Sequence, residues 1–192
     1  MEALVLDINK RYSYADYLTW ADDRMRELID GFVRMMSAPG RHHQKTCGKL
    51  TTRLTNLIER NSGQCEVYPS PFDVRLPKNG ETADNEIYTV VQPDICVVCD
   101  LSKLDDKGCL GAPDLVVEIQ SYTTARYDLT QKFNLYEASG VREYWVVYPF
   151  EAAVEVFLLQ PNGKFDEGTK YKQEKIPVHI FDGSEIDLTS IF

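Results

Sequence analysis

The pattern of apolar and polar positions predicts a short helix and then a β-hairpin in the first part of the chain. Residues 13–23 begin with a serine that can cap a helix, and the apolar positions after it have helical spacing. Residues 26–36 alternate apolar and polar side chains around Asp30-Gly31, a dipeptide that favours a type I′ turn. The hairpin is expected to open the main sheet.

A long amphipathic helix is predicted after this hairpin. Apolar positions from His43 to Ile58 share one helical face, and the helix should end at Asn61 and the residues that follow it. Residues 65–70 and 72–76 then have the pattern of strands.

The middle of the chain holds two runs with the composition of central strands. Residues 90–98 and 113–121 are apolar and rich in β-branched side chains. The segment between them, 99–112, is polar and contains glycine, which indicates a loop. Residues 76–90 are also polar, so we expect little core there.

The last third of the chain returns to a helix and then to strands. A helix is predicted over 123–140, and strands follow at 142–148, 155–160 and 164–173. This order of elements predicts an α/β or α+β fold, in which a mixed central β-sheet is flanked by at least two helices.

Length and composition suit one globular domain. With 192 residues and 43% hydrophobic content, we expect a single domain over residues 1–192. The chain has no run of about 18 apolar residues and no secretory signal pattern, which predicts a cytoplasmic protein without a membrane partner. The five cysteines lack the paired spacing of a zinc site, so we expect free thiols. Cys96 and Cys99 should point to opposite faces of a strand.

The net charge is unfavourable for a protein that binds nucleic acid. It amounts to −9, whereas lysine and arginine supply most contacts to phosphate. A local basic groove can coexist with an acidic remainder, and carboxylates that hold Mg²⁺ add negative charge of their own. The whole protein is therefore not expected to attract nucleic acid, but a local basic groove could still bind it.

Glu118 is the first candidate for chemistry. It lies in the middle of an apolar strand, on the same face as Asp114 and Gln120 under a period of two. A buried carboxylate is costly unless it is paired, hydrogen-bonded or bound to a metal. Glu118 is therefore a candidate metal ligand, and the alternative is a pair with an arginine or lysine, or a solvated face.

A hard divalent cation needs oxygen ligands from more than one position. Asp114 lies four residues before Glu118 on one strand, about 13 Å away, so the two are not expected to share an ion. Asp94 comes from a separate strand and can meet Glu118 if the two strands pair. We therefore predict Asp94 as the partner, with carboxylates within about 6 Å of Glu118. The alternative is an aspartate that binds local backbone.

Phosphodiester hydrolysis also needs a cation that stabilises developing negative charge or positions water. Lys132 borders the apolar stripe of the helix after Glu118, and Tyr136 lies one turn further on. The long lysine stem could bring its ammonium to the sheet edge. An ordinary lysine on the flank of an amphipathic helix is the alternative.

These residues lie in segments that resemble the putative restriction endonuclease family (Uma2-like) of the PD-(D/E)XK nuclease superfamily. The resemblance covers nearly the whole chain, from about residue 13 to the terminal DLTSIF. The matching segments are ELIDGFVRMMSAPGRHHQ, VVQPDICVV, GAPDLVVEIQSYTTARYD and QKFNLYEASGVREYWVVYP.

The resemblance implies a restriction-endonuclease-like core and a phosphodiesterase site that uses Mg²⁺ or Mn²⁺. Asp94 would be the aspartate of the PD half-motif, and Glu118 the acidic residue of the (D/E)XK half-motif. Gln120 stands in the place of the motif lysine and could orient water or contact the metal. Lys132 matches a position from which the following helix can supply the missing lysine. Glu27 stands where the family has an acidic residue that could join the site.

Two of these residues have simpler explanations that the sequence favours. A solvated glutamate at a sheet edge is favoured for Glu27. His43 lies on the apolar face of the first long helix, where a packing histidine is favoured over a general base.

The leading functional hypothesis is metal-dependent cleavage of DNA by a homodimer, since two sites are needed to cut both strands. One alternative is a catalytically silent nucleic-acid-binding or assembly module on the same fold. Another is a metal enzyme that acts on a smaller phosphate ester.

Overall fold

A computed structural model describes residues 5–22, 24–61, 64–120, 127–172 and 174–192. The helices in these ranges are α1 (Tyr14–Tyr17), α2 (Arg41–Arg60) and α3 (Tyr127–Ser139), with a 3₁₀ turn at Leu101–Lys103. The strands are β1 (Arg26–Ile29), β2 (Phe32–Met35), β3 (Glu66–Pro69), β4 (Val74–Arg75), β5 (Val90–Val91), β6 (Ile95–Val98), β7 (Leu104–Asp105), β8 (Gly108–Leu110), β9 (Leu115–Ile119), β10 (Glu143–Tyr148), β11 (Ala153–Leu158), β12 (Thr169–Lys172), β13 (Lys175–Pro177) and β14 (Glu185–Asp187). None of the described helices is long and apolar enough to cross a membrane.

The central sheet has six strands in the order β12-β11-β10-β9-β6-β3. Strands β9 and β10 are parallel, and the other neighbours are antiparallel. The parallel pair is joined through α3, because a parallel connection needs a crossover. The predicted mixed sheet with flanking helices is therefore confirmed.

The two faces of the central sheet are covered by different helices. Leu50 and Leu54 of α2 pack in one cluster with Val117 of β9. Tyr136 of α3 packs in another cluster with Val116, on the opposite face. This alternation follows the period of two predicted for β9, and it makes β9 a strand buried on both sides.

A second six-stranded sheet has the order β2-β1-β5-β4-β8-β7. Its hairpin of β1 and β2 turns at Asp30 and Gly31, whose φ angles of 54° and 85° are those of a type I′ turn. The predicted hairpin is therefore confirmed, but it opens this second sheet and not the central one. A separate pair, β13 and β14, completes the strands of the described ranges.

The predicted single strand over 90–98 is wrong, because the run divides between two sheets. Strand β5 pairs with β1 and β4, whereas β6 pairs with β3 and β9. Pro93 lies at the break, where its missing N–H cannot contribute to a ladder. The three residues 92–94 therefore carry the chain from one sheet into the other.

Three other predictions differ from the structure in extent. The first helix is a single turn, α1, with the predicted Ser13 cap, and the predicted loop over 99–112 contains the β7–β8 hairpin. The polar segment 76–90 does contribute to the core, because Ile87 is fully buried in a cluster with Tyr14. The predicted helix over 123–140 is confirmed over Tyr127–Ser139, and residues 123–126 lie outside the described residues.

The expectation of five free thiols is also wrong, since Cys65 and Cys99 form a disulfide. Strands β3 and β6 pair with Glu66 opposite Val98, and one further step of this register sets the two cysteines opposite each other. Cys96 lies in the cluster on the other face of the sheet, as the spacing predicts.

Candidate active site

Asp94 and Glu118 come from paired strands. Strands β6 and β9 are antiparallel neighbours in which Ile95 lies opposite Val117. One further step of this register sets Asp94 opposite Glu118, and facing residues of such a pair have Cβ atoms about 4.5–5.5 Å apart. The pairing that a shared ion requires is therefore present, while the separation of the two carboxylates stays a prediction.

Asp94 is held by the backbone of β9 and by a histidine. Its Oδ2 accepts a hydrogen bond from the N–H of Ile119 at 2.7 Å and lies 3.0 Å from Nε2 of His43. Among the described residues, both donors use Oδ2 and leave the lone pairs of Oδ1 for another partner. The aspartate therefore has a fixed orientation and a second oxygen that can bind a cation.

Glu118 is a largely buried carboxylate, with 15% of its side chain exposed, and its proton affinity is altered. Its Oε1 accepts hydrogen bonds from Nζ of Lys132 at 2.9 Å and from the hydroxyl of Tyr136 at 2.6 Å. Burial raises the pKa of Glu118 to about 7; Lys132 lowers it, and the charges of Asp94 and Glu27 raise it. Glu118 can therefore exchange a proton near neutral pH.

Lys132 lies between two carboxylates. Its Nζ is 2.9 Å from Oε1 of Glu118 and 2.9 Å from Oε1 of Glu27, and 14% of its side chain is exposed. Burial lowers the pKa of Lys132, but the two carboxylates outweigh burial and the pKa lies above its ordinary value. Lys132 is therefore a positioned ammonium, unlike the ordinary flank lysine that the helical pattern left open.

Glu27 is buried in β1, so its interpretation as a solvated edge glutamate is wrong. Strand β1 is not an edge, because β2 and β5 pair with its two sides. Its Oε1 accepts hydrogen bonds from the N–H of Gln92 at 2.9 Å and from Lys132. Glu27 therefore fixes the ammonium of Lys132 from the second sheet.

His43 also does more than the packing role that the sequence favoured. It lies in the first turn of α2, and its Nε2 contacts Asp94. Burial lowers the pKa of His43, but the hydrogen bond to Asp94 and the charges of Asp94 and Glu118 outweigh burial and raise it. His43 is therefore a donor that orients Asp94.

Asp114 lies at the opposite end of β9 from Glu118, as strand geometry predicts. Its carboxylate accepts hydrogen bonds from the N–H of Cys99 at 2.7 Å and from Nη1 of Arg142 at 2.9 Å. Both contacts tie neighbouring segments to the start of β9, so we assign Asp114 a structural role.

Tyr136 and Gln120 flank Glu118 in different ways. Tyr136 is fully buried in α3, one turn after Lys132, and its hydroxyl donates to Glu118. Gln120 is half-buried directly after β9, and its N–H donates to the carbonyl of Val147 in β10 at 2.9 Å. The tyrosine therefore belongs to the polar group around Glu118, and the glutamine continues the strand that carries it.

Gln92 belongs to the site although its sequence gave no signal. Its N–H binds Glu27, and its side-chain amide donates to Asp73 at 2.8 Å and to the hydroxyl of Tyr17 at 3.2 Å. A glutamine before a proline in an apolar run has many possible roles. The role of Gln92 depends on the pairing of β5 with β1, which a local sequence pattern does not encode.

The donor set suits a hard cation with few protein ligands. In the described ranges, no group of three or more His, Cys, Asp or Glu side chains is arranged to hold a metal ion. Mg²⁺ is commonly bound through one or two carboxylates and completes its shell with water and phosphate oxygens. Asp94 and Glu118 supply carboxylates of that kind, so the residues fit such an ion.

A family model covers most of the chain. The model of a family described as "Uma2: Putative restriction endonuclease" matches residues 14–189. The chain is also 27% identical over 159 residues to an uncharacterized protein of Synechocystis sp., slr1290, covering 81% of this chain and 77% of that protein. A second uncharacterized Synechocystis protein, sll1609, is 27% identical over 159 residues, covering 79% and 83%.

A solved structure has the same fold. It is the crystal structure of a putative nuclease belonging to DUF820 from Anabaena variabilis, with a TM-score of 0.72. The two chains are 15% identical, and the match covers 94% of this chain and 97% of that one. The comparison therefore confirms the restriction-endonuclease-like fold.

Proposed function

We propose that this chain, which belongs to the Uma2 family of putative restriction endonucleases, is a metal-dependent endonuclease that hydrolyses phosphodiester bonds in DNA. The observation that carries the proposal is the ammonium of Lys132, held 2.9 Å from both Glu118 and Glu27 beside the strand end that bears Asp94. Hydrolysis of a negatively charged diester needs cationic groups where charge develops, and carboxylates that recruit a metal supply the rest.

Asp94 and Glu118 would hold Mg²⁺ or Mn²⁺. When bound, the ion would stabilise charge on the phosphate and lower the pKa of an attacking water. Asp94 is oriented for this role by His43 and Ile119, which bind its Oδ2. Glu118 would hold the ion in its deprotonated form, whereas burial without the ion favours the protonated form.

The remaining groups have separate tasks. Lys132 would donate to the phosphate oxygen or to the attacking water, and it replaces the motif lysine whose place Gln120 occupies. Gln120 would assist through its amide, which can donate and accept. Glu27 and Tyr136 are positioning residues, because they touch Lys132 and Glu118 and not the reacting atoms.

The test is cleavage of supercoiled plasmid DNA with Mg²⁺, with Mn²⁺ and with a chelator. We expect cleavage only with metal, and Glu27→Gln/Lys132→Gln should reduce it by a factor on the order of 10² to 10³, the usual effect of one electrostatic donor. The double variant is preferred because Lys132→Gln alone leaves two buried carboxylates without a cation, at a cost of about 3–5 kcal/mol. The matched control is Lys164→Gln/Glu137→Gln, an ion pair whose lysine is 70% exposed.

The competing function is a nucleic-acid-binding or assembly module without catalysis. The uncharged Gln120 at the motif-lysine position favours it, since Lys132 is already engaged by two carboxylates. DNA binding without cleavage in either metal would support this alternative. Hydrolysis of a small phosphate ester without attack on DNA would instead support a smaller substrate.

A further inference from the structure

Helix α2 has the opposite charge balance from the rest of the chain. It carries five arginines and lysines and one glutamate, while the whole chain has 21 basic and 30 acidic residues. Four of these cations recur every four residues, at Arg41, Lys45, Lys49 and Arg53, and we call them the basic row. The spacing places them along one flank of the helix.

The basic row is open to an external anion. Arg41, Lys45 and Arg53 are exposed, and Lys49 is half-buried. Among the described residues, no carboxylate forms an ion pair with any of the four, whereas surface lysines elsewhere do so, such as Lys164 with Glu137 and Lys170 with Glu151. Their charge is therefore not neutralised by a carboxylate in contact.

Two of the cations are held in place by the end of the chain. Lys49 donates to the carbonyl of Ser190, and Arg53 donates to its hydroxyl at 2.7 Å. These residues line a surface depression with Gln44, Lys45, Gly48 and Thr52. A Cβ added at Gly48 would meet no atom within 4 Å, so an anion can approach the helix backbone there.

The amino-terminal end of the basic row lies in the same helical turn as His43, on a different side of α2. His43, two residues after Arg41, contacts Asp94. From Arg41 to Arg53 the helix rises about 18 Å at 1.5 Å per residue. One strand of duplex DNA places a phosphate every 3.4 Å along its axis, so about five phosphates match this length.

We propose that the basic row binds the phosphate backbone of one strand of the nucleic acid. The proposal rests on the proposed function, and it names the surface that overcomes the net charge of −9. A line of cations at regular spacing along one helix favours a linear polyanion over a flat membrane surface.

The test is the salt dependence of binding to a fluorescent DNA duplex, measured by anisotropy in a chelator so that cleavage does not interfere. Each phosphate contact contributes a slope of about 0.9 in log binding constant against log salt concentration. Lys45→Gln/Lys49→Gln/Arg53→Gln should therefore make the slope shallower by about 2.7. The matched control, Lys164→Gln/Lys170→Gln/Lys172→Gln, changes the net charge equally and should keep the wild-type slope.

Equal slopes for the two triple variants would overturn the proposal. If the first variant folds poorly, Lys45→Gln alone serves, because in the described part of the chain the hydrogen bonds to Ser190 from this row come from Lys49 and Arg53. The expected change in slope is then about 0.9. Binding of wild type to phosphatidylserine vesicles as tightly as to DNA, lost in the same variant, would also overturn it.

Hydrolysis of bis-para-nitrophenyl phosphate separates this proposal from the proposed function. The basic-row variant should hydrolyse this small diester like wild type while cleaving DNA more slowly. If wild type hydrolyses neither substrate, the proposed function fails, but the loss of salt-dependent binding still supports the basic row.

Discussion

Glu118, Glu27 and Lys132 form a largely buried group with two carboxylates and one ammonium. Lys132 contacts both carboxylates, and Tyr136 donates to Glu118. One cation cannot fully compensate two buried anions, so the group favours a proton on one carboxylate. Glu118 is the carboxylate whose pKa burial raises, to about 7.

This pKa predicts a pH dependence of stability without metal. The pKa of Glu118 is higher in the folded protein than its ordinary value of 4.5, so the folded state binds the extra proton between 4.5 and about 7. The free energy of unfolding should therefore fall as pH rises through that window. Glu118→Gln keeps an acceptor for Tyr136 and should remove this part of the fall.

The measurement is urea denaturation in a chelator from about pH 5 to about pH 8, comparing Glu118→Gln with wild type. The control is Glu155→Gln, a carboxylate that accepts from Tyr148 on another strand. Parallel pH profiles for wild type and Glu118→Gln would contradict the raised pKa.

Residues differ in how far the sequence could predict their roles. A glutamate in the apolar strand β9 demands a partner whatever the fold, which is why Glu118 was identifiable from its own neighbours. Lys132, 14 residues after Glu118 in the sequence, could be identified as a possible partner because it lies on the next predicted helix. Glu27 and His43 were underestimated because their contacts depend on the pairing of β1 with β5 and on the docking of α2. Neither of these leaves a local pattern.

At the scale of elements, two glycines make opposite demands on the backbone. Gly48 lies inside α2, where an added Cβ meets nothing within 4 Å. Gly108 begins β8 with a φ of +119°, and an added Cβ would lie 2.2 Å from the carbonyl oxygen of Asp73. That carbonyl is fixed, because it accepts the N–H of Cys109 at 2.9 Å.

Alanine substitutions should therefore change stability in opposite directions. Gly48→Ala should raise the free energy of unfolding by up to about 1 kcal/mol, since glycine is a poor helix former. Gly108→Ala should lower it by about 2 kcal/mol or more, through backbone strain and a clash. Thermal unfolding of both variants tests the two predictions. A Gly108→Ala protein that is more stable than wild type would contradict the close contact between Gly108 and Asp73.

The disulfide gives another prediction at the scale of elements, for strands β3 and β6 of the central sheet. Cys65 and Cys99 are 34 residues apart in sequence, so the bond should stabilise the fold by about 3–4 kcal/mol through chain entropy. Cys65→Ala/Cys99→Ala should lose that amount in chemical denaturation. Thiol titration in denaturant without reductant should find three free thiols, Cys47, Cys96 and Cys109; five would contradict the bond.

Elements of regular pattern were predictable, and the passage between sheets was not. Helix α2 and the β1–β2 hairpin follow from helical spacing and from a turn dipeptide. The run 90–98 is uniformly apolar, so its division into β5 and β6 depends on which neighbours each half finds. Pro93 was the one local sign of a break.

At the scale of the whole molecule, we propose a homodimer. One site per chain cuts one strand at a time, so cleavage of both strands in a single encounter needs two copies. Light scattering at micromolar concentration should give twice the mass of 22.0 kDa. Plasmid DNA should pass directly to the linear form, whereas a monomeric mass and accumulation of nicked circles would contradict the dimer.

The wide spacing of the site residues along the sequence has a consequence for protein synthesis. Glu27 and Lys132 are 105 residues apart, and the ammonium is the last charged member of the site to be translated. Ribosomes add about 5–20 residues per second, so a nascent chain carries Glu27 for about 5–20 seconds, and Glu118 for about 1–3 seconds, before Lys132 is added. A polypeptide that ends before Lys132 therefore cannot assemble this site.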